Sequence, residues 1–155
     1  MIKIDYLKHH PQHIPPLAKI WLDTIGKMWA PQVSLEETCK RFQTHLNSDT
    51  LPLTFVALDH TIPVGMCSLR LTDGLRPDLS PWLGSLVVDP KYQNHGIGKL
   101  LINATQDKAR QLGFEKLHLF TFDPTLPNYY SQLGWNIIEM NELHGHPITV
   151  MDLKL

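Results

Sequence analysis

Apolar and polar positions change period several times along this 155-residue chain, and each change marks an element. "MIKIDYL" alternates Ile2, Ile4 and Tyr6 against polar neighbours, which predicts a first strand. Through "HHPQHIPPLAKIWLDTIGKMW" the spacing becomes helical: Leu17, Ile20, Trp21 and Thr24/Ile25 share a face, and Pro15 or Pro16 suits the first turn. Ser34 followed by Glu37 forms a capping box, and Leu35, Cys39, Phe42 and Leu46 make an apolar stripe behind it. "LPLTFVAL" and "VGMCSLRLT" read as two strands around a turn at residues 59–63, a hairpin. "DGLRPDLSP" is a loop, and "WLGSLVVD" is a strand stopped by Pro90. Ile97, Leu100, Leu101, Ala104 and Leu112 then lie on one helical face, with Gly113 just past the end. "FEKLHLFTF" is apolar on both sides, as a central strand covered on both faces must be. "PTLPNYYSQLG" predicts a short helix closed by Gly134, and "WNIIEM" and "PITVMDLKL" two last strands joined by "NELHGH".

The order is strand, two helices, three strands, helix, strand, helix, two strands: a mixed α/β domain with helices on both faces of its sheet. No repeat or linker interrupts it, so residues 1–155 read as one domain. Composition narrows the function classes. A formal charge of −1 offers no basic surface for nucleic acid, and no apolar run is long enough to span a bilayer. "MIKIDYLKHH" lacks the apolar stretch of a secretion signal, and Cys39 and Cys67 show no paired spacing. A cytoplasmic protein with two reduced, buried cysteines is the expectation.

"QNHGIGK", residues 93–99, lies between a valine-rich strand and a helix. Such a turn presents backbone N–H groups that have no partner in the helix, at the positive end of its dipole, and so makes an anion site. Gly96 and Gly98 remove side chains that would hold a phosphate away. A tight turn with no ligand fits Gly-x-Gly equally. Neither common nucleotide motif matches: Lys99 is followed by Leu100 rather than Ser or Thr, and Leu101 stands where a dinucleotide fingerprint needs glycine.

"LVVDPKYQNHGIGKLL" resembles the acyl-CoA-binding motif of the GNAT superfamily of N-acetyltransferases, with Gln93, Gly96 and Gly98 at its fixed positions. "LPNYYSQLGWNII" is similar to the family's second motif, through Tyr130, Gly134 and Trp135. "RPDLSPWLGSLVVDP", "KLHLFTFD" and "HGHPITVMDL" resemble a bacterial branch whose substrates are mostly unassigned. The resemblance implies a mostly antiparallel sheet with a splayed central strand pair, opened by a bulge. It implies acetyl-CoA as co-substrate and an amine as acceptor, with no metal. The pyrophosphate would rest on Gln93, Asn94, His95, Gly96, Ile97, Gly98 and Lys99, and the pantetheine arm beside Leu86, Val87 and Val88. A backbone N–H near Leu86 or Val87 would face the thioester oxygen. Two positions depart from the family pattern: Asp123 replaces an arm-binding Asn, and Trp82, Leu83, Gly84 and Ser85 carry no carboxylate where many members place a base.

On this resemblance Tyr130 is the candidate acid for the leaving thiolate, protonated at neutral pH by its phenol pKa of ~10. Tyr129 faces elsewhere, into the core. The base is His118, Asp123 or a water chain: His118 lies on the strand beside the expected cleft, and Asp123 equally suits a turn cap. A satisfied core histidine is the competing reading of His118. His9, His10 and His13, and His144 with His146, read as solvated loop residues, since no cysteine or carboxylate joins them at metal-ligand spacing. Trp82 and the loop "TDGLRPDLSP" are candidates to line an acceptor pocket. The leading function is transfer of acetyl from acetyl-CoA to a primary amine of a small molecule or peptide N-terminus. A non-catalytic acyl-CoA sensor and an interaction module with a structural glycine loop are the alternatives.

Overall fold

The computed structural model describes residues 1–155. Strand β1 (Ile2–Tyr6) leads through two short 3-10 turns into helix α1 (Ile14–Trp21). A π-helical turn, Leu22–Gly26, connects α1 to α2 (Lys27–Trp29), and α3 (Leu35–Gln43) follows. The hairpin β2 (Leu53–Asp59) and β3 (Ile62–Arg70) precedes β4 (Trp82–Val88), α4 (Ile97–Gln111), β5 (Lys116–Thr121), α5 (Leu126–Gln132), β6 (Asn136–Leu143) and β7 (His146–Lys154). The strands form one seven-stranded sheet in the order β1-β2-β3-β4-β5-β7-β6, and β4–β5 is its parallel pair among antiparallel neighbours. No helix is long and apolar enough to cross a membrane.

Both faces of the central strands are covered, which explains why "LTFVAL" is buried throughout. Leu53, Phe55 and Ala57 pack with Leu101, Ile102 and Ala109 of α4, while Val56 and Leu58 pack with Leu17 and Trp21 of α1 and Phe42 of α3. The Ser34–Glu37 capping box starts α3 as expected, with both reciprocal bonds present. In two helices a leucine of the expected stripe is exposed and a threonine is buried. Leu35 is exposed and Thr38 is buried, its hydroxyl bonded to the Ser34 carbonyl. Leu100 is likewise exposed and Thr105 buried, its hydroxyl bonded to the Leu101 carbonyl. Bonding back to the helix lets a threonine sit in an apolar interface at little cost.

A buried polar chain crosses the second half of this core. His45 Nδ1 lies 2.8 Å from Thr54 Oγ1, which lies 2.7 Å from Ser68 Oγ. Burial, with Arg70 and Arg41 near, pushes the His45 pKa down to about 3 from 6.5. Between those values the unfolded chain takes up a proton that the folded one refuses. The stabilisation is therefore complete above pH 6.5 and is lost as pH falls toward 3. Replacing His45 with Gln removes this dependence. Urea titrations at pH 7 and pH 5 should show wild type losing about 2 kcal/mol more than His45→Gln across that step.

Candidate active site

Strands β4 and β5 meet at one bridge, Trp82 with His118, and part beyond it. A bulge drives the parting. Met66 faces Val87 and Ser68 faces Gly84, so Cys67 alone stands opposite Ser85 and Leu86. The extra residue bends β4, and Ser85 takes a φ of 50° to make the turn. Between the splayed strands lies a cleft of ≈ 520 Å³, walled by Leu83, Gly84, Ser85 and Leu86 on one side and residues 119–123 on the other.

Behind β4, the glycine loop delivers the start of α4. Asn94 (φ 65°) and Gly96 (φ 79°) both adopt the left-handed conformation. The first helical bond runs from the Leu100 N–H to the Gly96 carbonyl, and no side chain caps the N–H groups before it. Nothing in the chain requires glycine at 98. A Cβ there would meet only the Val88 Cγ2, at 4.0 Å, and glycine within a helix costs roughly 0.5–1 kcal/mol against alanine. The open space over Gly96 and Gly98 is a cradle that side chains would fill, and it fits a phosphate group. Gln93 turns back to donate to the Val88 carbonyl, at 3.2 Å, and His95 Nδ1 lies 3.2 Å from the Tyr92 carbonyl. Lys99 is exposed, whereas Ile97 is core. Leu86 lines the cleft, Val87 points into the α1 side of the core, and Val88 packs on the α4 side.

Tyr130 reaches the cleft from α5. Its ring packs edge-on to Trp135, and α5 ends where Gly134 turns left-handed (φ 98°). The side chain is buried, and its hydroxyl makes no hydrogen bond within the chain. Burial, then Cys67 and Tyr129 nearby, pushes its phenol up, so the hydroxyl holds its proton. Asp123 also lines the cleft, but its Oδ1 accepts from the Thr125 N–H (2.9 Å) and hydroxyl (2.7 Å), which makes it a turn cap.

Four sequence expectations are corrected by placement. His118 does not reach the cleft: it is 3 % exposed and its Nδ1 lies 3.0 Å from the Pro81 carbonyl, the arrangement of a satisfied core histidine. Trp82 is fully buried against Ile148 and Val150, with its indole N–H donated to the Leu79 carbonyl, and it does not line the cleft. Tyr129 is exposed rather than core. His146 is half-buried in β7 and stacks on Trp29 at a ring distance of 4.8 Å instead of standing in solvent, whereas His144 stays exposed in the turn as expected, its ring 5.5 Å from Trp29. At the other end of the chain, His9 and His10 both contact the Asp5 carboxylate. No group of three or more such side chains has the geometry to hold a metal.

The cleft also gathers residues from elements far apart in the chain, among them Asp73 of the loop "TDGLRPDLSP" expected to line an acceptor pocket. Thr24 and Ile25 come from the π turn, Trp29 from α2, Arg41 from α3, and Arg70 and Asp73 from the end of β3 and its loop. Gly26 allows the Trp21 ring to fold back, since a Cβ there would lie 2.6 Å from it. Arg70 donates to Asp73 at 2.8 Å and to the Ser85 hydroxyl on the bulge. The pair fills the space over Gly84, where a Cβ would lie 2.6 Å from Arg70 Nη1 and 3.1 Å from Asp73 Oδ2. A carboxylate therefore stands beside β4, which carries none of its own. Burial holds the Asp73 carboxyl above the usual carboxylate range, against the pull of Arg70 and Arg41.

The family model described as "Acetyltransferase (GNAT) family" matches residues 17–135. The chain belongs to the GNAT acetyltransferase family. Solved structures agree on the fold across the whole GNAT chain. An aminoglycoside 6'-N-acetyltransferase complexed with coenzyme A superposes with a TM-score of 0.76 at 16% identity, covering 98% of this chain and 96% of that one. The ribosomal-protein-S18-alanine N-acetyltransferase from Escherichia coli gives 0.73 at 19% identity, covering 99% and 94%. An IAA acetyltransferase from Bacillus cereus gives 0.68 at 19% identity, covering both chains fully. The acceptors named for these GNAT proteins share little chemistry, so fold alone leaves this chain's acceptor open.

Proposed function

We propose that this GNAT protein transfers acetyl from acetyl-CoA to a primary amine, as one cytoplasmic domain. The observation that carries the reading is Tyr130: a buried phenol, held protonated by its burial, that lines the cleft between the splayed strands. The unpaired Cys39 and Cys67 support a reducing compartment.

On this reading the first turn of α4 and the space over Gly96 and Gly98 hold the pyrophosphate, with Gln93, Asn94, His95 and Lys99 around it. The edge of β4 at Leu86, Val87 and Val88 carries the arm. Acetyl-CoA supplies the acetyl group already activated as a thioester. A backbone N–H at Leu86 or Val87 steadies the charge that grows on the carbonyl oxygen. As the amine nitrogen forms its bond to the acetyl carbon, the carbon–sulfur bond breaks. The nitrogen gives one proton to Asp73, and Tyr130 gives one to the sulfur. Asp73 takes the role of base in place of His118, because it is the carboxylate at the bulge and its raised pKa makes it the stronger acceptor.

Thiol release from acetyl-CoA across a panel of primary amines tests the reading, and CoA binding with no turnover would make the protein a sensor instead. Asp73→Asn should lower kcat/KM about 10²-fold at pH 7. A base works only when deprotonated. The acid limb of the wild-type profile should therefore lie above the ordinary carboxylate range and vanish in the variant. The deficit should shrink at pH values where the amine is already neutral. An equal deficit at every pH would remove Asp73 from the proton path.

A further inference from the structure

A second hollow, of ≈ 360 Å³, opens beside the cleft and shares Arg41, Arg70 and Asp73 with it. Its lining is mostly polar: His45, Thr72 and Gly74 join those three, and Leu71 and Pro52 supply the apolar side chains. Arg70 is committed, held by Asp73 at 2.8 Å and by Ser85. Arg41 is not. Its guanidinium stacks on the rings of Trp21 and Phe42, at 4.4 and 4.8 Å from their centroids, and no carboxylate pairs with it. Stacking fixes the plane of the guanidinium while leaving its N–H edge free, and that edge matches a carboxylate with two parallel bonds.

The charges confirm the need for a partner. Arg41 and Arg70 are cations, Asp73 is one anion, and buried His45 stays neutral. The wall carries one positive charge in excess. Desolvation by the rings it stacks on, then the neighbouring Arg70, push the Arg41 pKa down to about 10, while the residue stays exposed and open to a ligand from solvent. A monoanion balances this wall. A dianionic phosphate would bring a second charge against Asp73.

We propose that Arg41 binds the carboxylate of the acceptor, so that the acceptor is a small amino-carboxylate whose amine points to the bulge at Ser85 and whose acid group lies in the polar hollow. This rests on the acetyl-transfer reading for the amine end, while the anion site can be tested without turnover.

The test is calorimetric titration of CoA-loaded protein with N-acetyl derivatives of glycine, β-alanine, γ-aminobutyrate and longer ω-amino acids, each beside its own carboxamide. At least one acid should bind about ten-fold or more tighter than its amide, the scale of a charge-assisted pair. Arg41→Gln should abolish that preference, and Arg41→Lys should keep part of it, with thermal melting verifying that each variant is folded. Acids and amides that bind alike throughout the series, or a preference that survives Arg41→Gln, would overturn the proposal. Thiol release is scored separately. An acid preference without turnover sustains the anion site and removes only the transfer reading.

Discussion

Tyr130→Phe should release thiol roughly 10²-fold more slowly than wild type, with CoA affinity and the acceptor KM little changed. The substitution suits the question because the hydroxyl bonds nothing in the chain, so no buried partner is orphaned by its loss. The ring keeps its contacts with Tyr129 and Trp135, and α5 keeps its closure at Gly134. Stability should therefore hold, and a fall in rate reports the missing proton. Stopped thiol assays beside calorimetric CoA titration separate the outcomes. Full activity would remove Tyr130 from the chemistry, and affinity falling in step with turnover would make it a contact for the cofactor.

The second large effect belongs to Gly98. Acetyl-CoA should raise the melting temperature of wild type by mass action, and Gly98→Val should abolish that rise. The nearest atom of the chain to a Cβ at this position is 4.0 Å away, so the fold admits the new side chain and only the cradle is filled. Gly98→Ala provides the control. It should stabilise the free protein by roughly 0.5–1 kcal/mol, since the glycine costs the helix that much, and it should keep the cofactor shift. Gly96 is the poorer site for such a test because its φ of 79° would strain any other residue. A melting shift that persists in Gly98→Val would sink the phosphate-cradle reading.

What could be read from the sequence is what local chemistry writes. The glycine loop, the Ser34 cap, the hairpin and the helix end at Gly134 each follow from neighbouring residues, and the structure has them in place. Tyr130 was legible through a motif that fixes its spacing to Gly134 and Trp135. His118 and Trp82 were misplaced for one shared reason. On strands apolar to both sides, alternation says that successive residues face opposite ways but not which way the cleft lies. Asp73 lies in the loop expected to line an acceptor pocket, but its grouping with Arg70 and Arg41 was not legible, because Arg41 comes from a distant segment and meets the other two only after α3 and β3 have packed. The gap on β4 was the one available clue: Gly84 stands where a side chain is missing, and Arg70 and Asp73 occupy that space from elsewhere.

The single bridge between β4 and β5 has a further consequence, for solubility. Past Trp82 and His118, each strand turns a row of backbone donors and acceptors toward the other without pairing. Unpaired rims of this kind, when they face outward, recruit strands from other molecules and seed aggregates. Here the rims face inward across a cleft of ≈ 520 Å³, the size of a ligand site and too small to admit another molecule's sheet. The parting that opens the cleft thus also conceals from other copies of the protein the hydrogen-bonding groups it leaves unpaired.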